Sequence, residues 1–441
     1  MKNVEQVFGN AKMTENGDLA FNSTTNPMVD ILFMTEYYQK HLDEMPTLDV
    51  NDYSKLFAMF MRDPRFGMGK RDIGRTLLAN VNASIDDIVK CGRVDDLFYI
   101  PTVDFYPMLD YLKREIENGN ELVKKWMPRY SSKNLMLARE IAKYWGMNKQ
   151  QYGKFIKCNT VEQHLSRKDT DKIKFEHVPS LAAIKYANRF ATGDDTAERY
   201  KQYLDDVRSG KKELKVSTTN VYDIYKNREK IDADLFFEKL EKIAISCVPV
   251  VDTSGSMMDS TDSFGKALAV GHYLAKCSTY MPNKVVSFSS HPSLITLGVP
   301  TQKYCGYLYG DKISDSTYCQ EIASMYTGDC SNTDLAKVME LFAMVDDLPE
   351  YIVVLSDMEF DCGSKHKKDY LMKLWKEKGY KTKIVWWNFN SRATTCPEMD
   401  SEGNIFMSGY NPMLLKFLSA SFNAQAFIDK LLNEYKKAIN E

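Results

Sequence analysis

The sequence predicts an α + α/β protein, with an N-terminal helical domain followed by an α/β domain whose sheet is mostly parallel. Two patterns predict this class. Apolar side chains recur at helical spacing through the first half of the 441 residues, and apolar strand-like runs alternate with helix-like stretches from about Ile243. The length itself favours more than one core. We expect an irregular segment at 1–25, a helical domain at 26–240 and an α/β domain at 241–441.

The helical domain is predicted from apolar periodicity. Residues 1–25 are rich in Asn, Thr and Gly, which indicates irregular structure. Val29, Leu32, Phe33 and Tyr37 then follow the i, i+3, i+4, i+8 spacing of a helix. The same pattern predicts helices at 53–61, 73–78, 85–89, 107–117, 131–144, 149–156, 179–190 and 197–208. Helices of this length joined by short turns are typical of an α-solenoid or an irregular bundle, although the sequence shows no clean repeat period.

The second half alternates two kinds of element. Strands are expected at 245–251, 284–289, 293–298, 351–356, 382–389 and 404–408. Helices are expected at 264–278, 333–346, 366–378, 412–420 and 424–438. Alternation of this kind predicts a parallel sheet with helices on both faces.

The composition bears on nucleic-acid binding and on cellular location. Lys and Arg number 58 and Asp and Glu number 60, so a general attraction to nucleic acid is excluded and any such binding must use a local patch. The nine cysteines are an odd number without a C-x-x-C pair, which indicates reduced thiols and a cytoplasmic protein. A polar amino terminus and the absence of a long apolar run predict neither a secretory signal nor a membrane span.

Oxygen-bearing side chains follow two of the predicted strands. Asp252, Ser254 and Ser256 come directly after the apolar run 245–251, and Asp357 ends the run that begins at Tyr351. Thr333 lies just before a predicted helix. The carboxyl ends of parallel strands form the ligand edge of such sheets, and carboxylate and hydroxyl oxygens are ligands for Mg²⁺ or Mn²⁺. The alternative is an ordinary helix-capping loop.

The order Asp-x-Ser-x-Ser, loop Thr, strand-terminal Asp resembles the metal-ion-dependent adhesion site of von Willebrand factor A (vWA) domains. The resemblance implies a Rossmann-like vWA domain at 241–441. It also implies that hydroxyls matching Ser254, Ser256 and Thr333 contact the metal, while carboxylates matching Asp252 and Asp357 bind it directly or through water. In that family an acidic group of a protein partner fills the open coordination position.

The helical half carries a second resemblance, to a TROVE-like family that couples a helical domain to a C-terminal vWA domain and is similar to the Ro autoantigen group. The phrases that carry it are Arg62-Asp63, Gly67-x-Gly69-Lys70-Arg71, Gly92-Arg93-Val94-Asp95-Asp96-Leu97, Lys125-Trp126-Met127-Pro128 and Val178-Pro179-Ser180. This resemblance implies a ring of HEAT-like helical repeats that binds small structured or single-stranded RNA.

A local charge excess agrees with an RNA surface. Between Lys113 and Lys174 there are fifteen Lys/Arg and seven Asp/Glu, with aromatic residues interleaved. The candidate phosphate contacts are Lys124, Lys125, Arg129, Lys133, Arg139, Lys143, Lys149 and Lys154, and Arg65, Lys70 and Arg71 form a second candidate cluster. The alternative interpretation is a solvated basic face over a core of buried aromatic side chains.

The sequence therefore predicts a non-enzymatic binding protein that needs Mg²⁺ at the vWA-like site and binds RNA through its helices. One alternative is a protein-interaction scaffold with no RNA role. A metal-assisted phosphoryl hydrolase built on Asp252 and Asp357 is less favoured, because the sequence offers no positioned general base.

Overall fold

The computed structural model describes residues 11–13, 19–21, 26–91, 94–131, 133–216, 219–258, 262–288, 291–299, 316–326, 334–357, 373, 375–389, 398–399, 404–410, 415 and 424–440. The chain divides by its contacts into two compact units. Residues 1–41 and 219–428 form the first, called the α/β unit here. Residues 42–218 and 429–441 form the second, the helical unit.

The helices are bounded as follows. The first twelve are α1 (Pro27–Phe33), α2 (Thr35–Tyr38), α3 (Asp52–Arg62), α4 (Arg71–Asn80), α5 (Ile85–Cys91), α6 (Phe105–Glu117), α7 (Glu121–Trp126), α8 (Leu135–Tyr144), α9 (Lys149–Phe155), α10 (Val161–Arg167), α11 (Ser180–Thr192) and α12 (Ala197–Arg208). The others are α13 (Val221–Asn227), α14 (Ala233–Glu238), α15 (Ser263–Cys277), α16 (Thr317–Ser324), α17 (Leu335–Phe342) and α18 (Ala424–Ala438).

The strands form two sheets. β1 (Ala11–Met13) and β2 (Leu19–Phe21) make an antiparallel pair. The larger sheet contains β3 (Cys247–Asp252), β4 (Lys284–Phe288), β5 (Ser293–Thr296), β6 (Tyr351–Ser356), β7 (Lys383–Asn388), β8 (Glu398–Met399) and β9 (Ile405–Ser408). Its order is β5-β4-β3-β6-β7-β9-β8. The strands from β4 to β9 in this order pair in parallel, and β5 and β8 pair antiparallel at the two edges.

The sheet and the helix that follows β3 form the core of the α/β unit. All residues of β3 and β6 are buried, and in α15 every residue except Lys276 is buried. A helix that is buried on all sides, including its Lys266 and His272, is one enclosed by other elements. Gly271 on α15 allows this close packing, because a Cβ there would lie 2.6 Å from Val251 Cγ2. The α + α/β class predicted from the sequence is confirmed.

The helical unit contains short amphipathic helices with side-chain caps. Asn51 accepts a hydrogen bond from the Ser54 amide at the start of α3, and Asn148 makes a reciprocal capping box with Gln151 at the start of α9. The predicted helices are present, but α7 and α10 were not expected. Their caps, Asn120 and Thr160, are sequence signals that apolar periodicity alone does not use. A HEAT-like repeat arrangement stays a prediction.

A loop connects α3 to α4, and one arginine from each of these helices pairs with a buried aspartate. In the loop, the carbonyl of Asp63 accepts hydrogen bonds from the amides of Gly67 and Gly69. Asp96 lies between Arg62 and Arg75, and each arginine Nε is 2.7 Å from one of its carboxylate oxygens. Arg62 and Asp96 are almost fully buried. The phrases Arg62-Asp63 and Asp95-Asp96 therefore have a structural role in this unit.

The two compact units differ from the predicted domains in three places. Residues 1–25, expected to be irregular, include the β1–β2 pair, for which Asn16-Gly17 is a hairpin signal in the sequence. Residues 221–238, which fall in the predicted helical domain, form α13 and α14 of the α/β unit, and residues 26–41 also belong to that unit. Residues 429–441 belong to the helical unit. The helices predicted at 366–378 and 412–420 lie mostly outside the described residues.

Candidate functional site

The two strand ends predicted to carry ligands lie side by side. β3 pairs in parallel with β6, and Val251 is opposite Leu355 in the register. Asp252 is therefore level with Ser356, and Asp357 follows at the same edge. Both carboxyl-bearing side chains are buried, with Asp252 fully so and Asp357 5% exposed. Sequence analysis placed these two residues together, and the structure does too.

Hydrogen bonds fix the carboxylate of Asp252 at both oxygens. The backbone amide of Ser254 donates to Oδ1 (2.9 Å), and the Ser356 hydroxyl donates to Oδ2 (2.5 Å). The chain is held beside β4 as well, because the Thr253 amide donates to the Phe288 carbonyl at 3.0 Å. The carboxylate is therefore oriented by the backbone turn and by the neighbouring strand.

The two serines continue the site toward solvent. Ser254 is buried, Ser256 is exposed, and their Oγ atoms are 3.1 Å apart. A 3₁₀ turn at Gly255–Met257 places them on one side of the loop. The oxygen atoms of these two serines thus range from a buried to an exposed position at the sheet edge.

The electrostatics favour a cation. Burial, with a smaller effect of the negative charge of Asp357, raises the pKa of Asp252 to about 6 against the hydrogen bonds from Ser356 and Ser254. A divalent cation beside Asp252 and Asp357 would remove the repulsion between their charges. Carboxylate and hydroxyl oxygens are hard ligands, which suit Mg²⁺ or Mn²⁺ better than Zn²⁺.

The described part of the chain supplies four of the five predicted ligands. Asp252, Ser254, Ser256 and Asp357 are brought to one edge, and Thr333 lies outside the described residues. Asp334, which follows it, caps α17 by accepting from the Lys337 amide. Within the described ranges no three His, Cys, Asp or Glu side chains are grouped to hold a metal.

One contributor was missed. Ser356, which is not among the residues predicted for the site, is the side chain that donates to Asp252 Oδ2. The signal was available, because a hydroxyl directly before Asp357 must lie level with the end of β3 if the two strands are parallel neighbours.

The second candidate surface lies on α7, α8 and α9 of the helical unit. Residues 122–161 contain nine Lys/Arg and one Asp/Glu. The aromatic pairs Trp145–Tyr152 and Trp145–Phe155 pack α8 against α9. Six basic side chains of this stretch are exposed and make no ion pair with any described residue: Lys133, Arg139, Lys143, Lys149, Lys154 and Lys157. Lys157 was not among the predicted contacts.

The other predicted RNA contacts of α7 are engaged within the protein. Lys124 pairs with Glu121 at 2.9 Å and Lys125 with Glu162 at 3.5 Å. Arg129 donates to the Lys124 carbonyl and contacts Cys158 Sγ. These contacts do not prevent RNA binding, but they make the side chains less available than the six exposed ones.

The residues of the second basic cluster, Arg65, Lys70 and Arg71, differ in their surroundings. Arg65 binds Asp63 through its backbone amide and its guanidinium, which gives it a structural role in the α3–α4 loop. Lys70 and Arg71 begin α4, where positive charge is unfavourable for the helix dipole, and Arg71 is exposed.

The interleaved aromatic residues are also divided. Trp145 is 7% exposed and Tyr152 is fully buried with its hydroxyl bonded to the Pro128 carbonyl, so both belong to the core. The alternative interpretation of these two is confirmed. Tyr144 is 42% exposed.

No helix of the described residues combines the length and apolarity needed to cross a membrane. The five described cysteines, Cys91, Cys158, Cys247, Cys277 and Cys319, are free and buried.

Comparisons with known proteins give few assignments. Residues 246–438 match a family model described as "Domain of unknown function (DUF7788)", and residues 135–242 match "Domain of unknown function (DUF2828)". The chain is similar to "Uncharacterized protein L728" of Acanthamoeba polyphaga mimivirus, with 22% identity over 524 residues that cover 97% of this chain and 88% of the relative. It is also similar to the crystal structure of the Deinococcus radiodurans Ro (RSR) protein, with 12% identity, 94% coverage of each chain and a TM-score of 0.39.

Proposed function

We propose that the protein is a non-enzymatic binding protein whose α/β unit holds Mg²⁺ or Mn²⁺ at a vWA-like site. The ligands are Asp252, Ser254, Ser256, Thr333 and Asp357. The observation that supports this proposal is the parallel pairing of β3 with β6, which brings Asp252 and Asp357 to the same edge of the sheet. The raised pKa of Asp252 agrees with it. Both oxygens of Asp252 accept hydrogen bonds, which favours a fixed ligand over a catalytic base.

The cation is the point at which a protein partner is captured. Ser256 is exposed while Asp252 is buried, so a partner can reach the site at the exposed serine. By the resemblance to vWA domains, an acidic side chain of the partner completes the coordination there. The partner is a protein, and the interaction requires the metal.

Mn²⁺ binding measured by electron paramagnetic resonance tests the metal site. The wild type is expected to bind one Mn²⁺ that Mg²⁺ displaces, and Asp252→Asn is expected to lose it. Asp234→Asn is a matched control, because Asp234 also binds backbone amides in the α/β unit, at Thr317 and Tyr318. Equal binding by wild type and Asp252→Asn would contradict the assignment.

RNA binding by the helical unit is a second function that a separate observation favours. In a chain of net charge −2, residues 122–161 concentrate nine cations against one carboxylate, and six of those cations are exposed. Cations in this number neutralise phosphates and release counterions, which makes binding fall steeply with salt. We place the phosphate contacts mainly on Lys133, Arg139, Lys143, Lys149 and Lys154, with Lys124, Lys125 and Arg129 in support.

Fluorescence anisotropy with labelled RNA tests this surface. Combined Lys149→Glu and Lys154→Glu substitutions are expected to weaken binding and to reduce the slope of affinity against salt. Lys201→Glu on α12 is the matched control, since Lys201 is exposed in a helix that also carries Asp205 and Asp206. If wild type binds no RNA but retains a Mg²⁺-dependent protein partner, the scaffold alternative replaces the RNA proposal.

The free buried thiols agree with a cytoplasmic location.

A further inference from the structure

Two tyrosines form an exposed ring pair on the helical unit. Tyr106 lies in the first turn of α6 and Tyr144 ends α8, and their ring centroids are 5.0 Å apart with planes tilted by 42°. Tyr106 is 54% exposed and Tyr144 is 42% exposed. Trp145, which directly follows Tyr144, is buried, and Phe105 and Tyr111 of α6 are partly buried. The pair is therefore the more exposed part of the aromatic side chains in this region.

The pair is positioned rather than loose. The Tyr144 hydroxyl donates to Asp110 Oδ1 at 3.0 Å, which ties the end of α8 to α6. This hydrogen bond raises the pKa of Tyr144, so the phenol stays neutral. Asp110 is itself exposed, so the hydrogen bond fixes the ring without removing the charge of the carboxylate.

Two exposed cations of α8 lie near Tyr144 in the sequence. Lys143 precedes Tyr144, and Arg139 lies one helical turn before Lys143. Both are exposed and make no ion pair with any described residue, while Glu140, one turn before Tyr144, is the only carboxylate of residues 122–161. Exposed aromatic rings with cations nearby are the combination that binds unpaired nucleotides, because bases stack on rings and the backbone meets the cations.

We propose that Tyr106 and Tyr144 form a stacking subsite for an unpaired base of single-stranded RNA, with Arg139 and Lys143 on the flanking phosphates. This inference rests on the proposed RNA binding by the helical unit and specifies its ligand. The bases of a duplex are already stacked and paired, so a duplex meets only the cations. The subsite therefore makes the surface selective for single strands.

The test measures affinity for a labelled single-stranded oligonucleotide of about 12 adenosines and uridines, and for a duplex RNA of the same length. Tyr106→Ala and Tyr144→Ala are each expected to weaken single-strand binding by about fivefold or more, and to leave duplex binding unchanged. Tyr144→Phe keeps the ring but loses the hydrogen bond to Asp110, so it is expected to bind single strands more tightly than Tyr144→Ala. Tyr99→Ala is the matched control, because Tyr99 is 56% exposed but lies over Arg75.

Photocrosslinking of the same single strand carrying 5-iodouridine gives a second readout on the unmodified protein. Crosslinks are expected on Tyr106 or Tyr144. Unchanged single-strand affinity in both alanine variants, or crosslinks only elsewhere, would overturn the subsite while leaving RNA binding intact. Loss of binding in the Lys149→Glu and Lys154→Glu protein but not in the tyrosine variants has the same meaning. No binding of any RNA by wild type would overturn both proposals.

Discussion

Ser356 on β6 donates a hydrogen bond across the parallel pair to Oδ2 of Asp252 on β3, with 2.5 Å between the two oxygens. The contact joins the two strand ends that carry the proposed ligands. It also lowers the pKa of Asp252 against the larger effect of burial, so it keeps the carboxylate closer to its charged form.

Ser356→Ala is expected to lower both stability and Mg²⁺ affinity. The buried carboxylate loses one partner, which costs about 1–3 kcal/mol of unfolding free energy. Urea unfolding without metal and Mg²⁺ titration measure the two effects. Ser287→Ala on β4 is the control, because Ser287 is also a buried strand serine but bonds the edge-strand carbonyl of Ser293. An equal effect of both substitutions on Mg²⁺ affinity would contradict the role of Ser356.

Stabilisation by Mg²⁺ is expected to depend on pH around 6. The pKa of Asp252 in the fold, about 6, exceeds that of an unfolded Asp, so the fold binds the extra proton. The metal-free protein therefore loses stability from this group as pH rises from about 4 to about 6, and not above. A cation must displace that proton, so the Mg²⁺-induced rise in melting temperature should be larger at pH 7.5 than at pH 5. The same rise at both values would exclude Asp252 as a ligand.

Gly67 is expected to be irreplaceable in the helical unit. A Cβ at this position would lie 1.9 Å from the Phe60 carbonyl oxygen, so Gly67→Ala must shift backbone and is expected to cost about 3 kcal/mol. Gly153 in α9 is the control, because a Cβ there meets nothing within 4 Å. Gly153→Ala should stabilise the unit by about 1 kcal/mol. Chemical denaturation compares the two, and similar effects would contradict the geometry of the loop.

His272 is expected to make the α/β unit sensitive to acid. It is fully buried on α15, with Nε2 2.7 Å from Glu321 Oε2, and burial lowers its pKa although Glu321 favours the charged form. Lys276 and Lys242 also lower it. The unfolded chain takes up this proton near pH 6.5 and the fold does not, so stability falls as pH drops below about 6.5.

His272→Gln should flatten that dependence in unfolding measurements between pH 7.5 and 5.5. His177→Gln, at an exposed position of the helical unit, should leave it unchanged. An unaltered slope in His272→Gln would show that other groups cause the acid sensitivity.

The sequence predicted some elements closely, for physical reasons. The bounds of β6 at 351–356 and of α18 at 424–438 follow from an apolar run and a strong helical period. Asp252 and Asp357 were expected to meet because parallel strands end at one edge. These predictions depend on local sequence patterns and on a sheet topology to which there are few alternatives.

Other features depend on packing partners that a local pattern does not specify. The amphipathic pattern of α13 indicates a buried face but not which core receives it, and Tyr225 in fact contacts Tyr326 of the α/β unit through their hydroxyls. Arg65 looked like a free cation, yet its partner Asp63 is buried and also accepts from Tyr435, 372 residues away. Charge and spacing cannot show such pairings.

Thermal unfolding of wild type and Asp252→Asn with and without Mg²⁺ tests the central claim most directly. At a Mg²⁺ concentration of about 100 times Kd, wild type should gain about 2.7 kcal/mol, seen as a higher melting temperature, and Asp252→Asn should gain nothing. Asp234→Asn should respond like wild type. If Mg²⁺ raises the melting temperatures of wild type and Asp252→Asn equally, Asp252 is not a metal ligand and the proposed site is wrong.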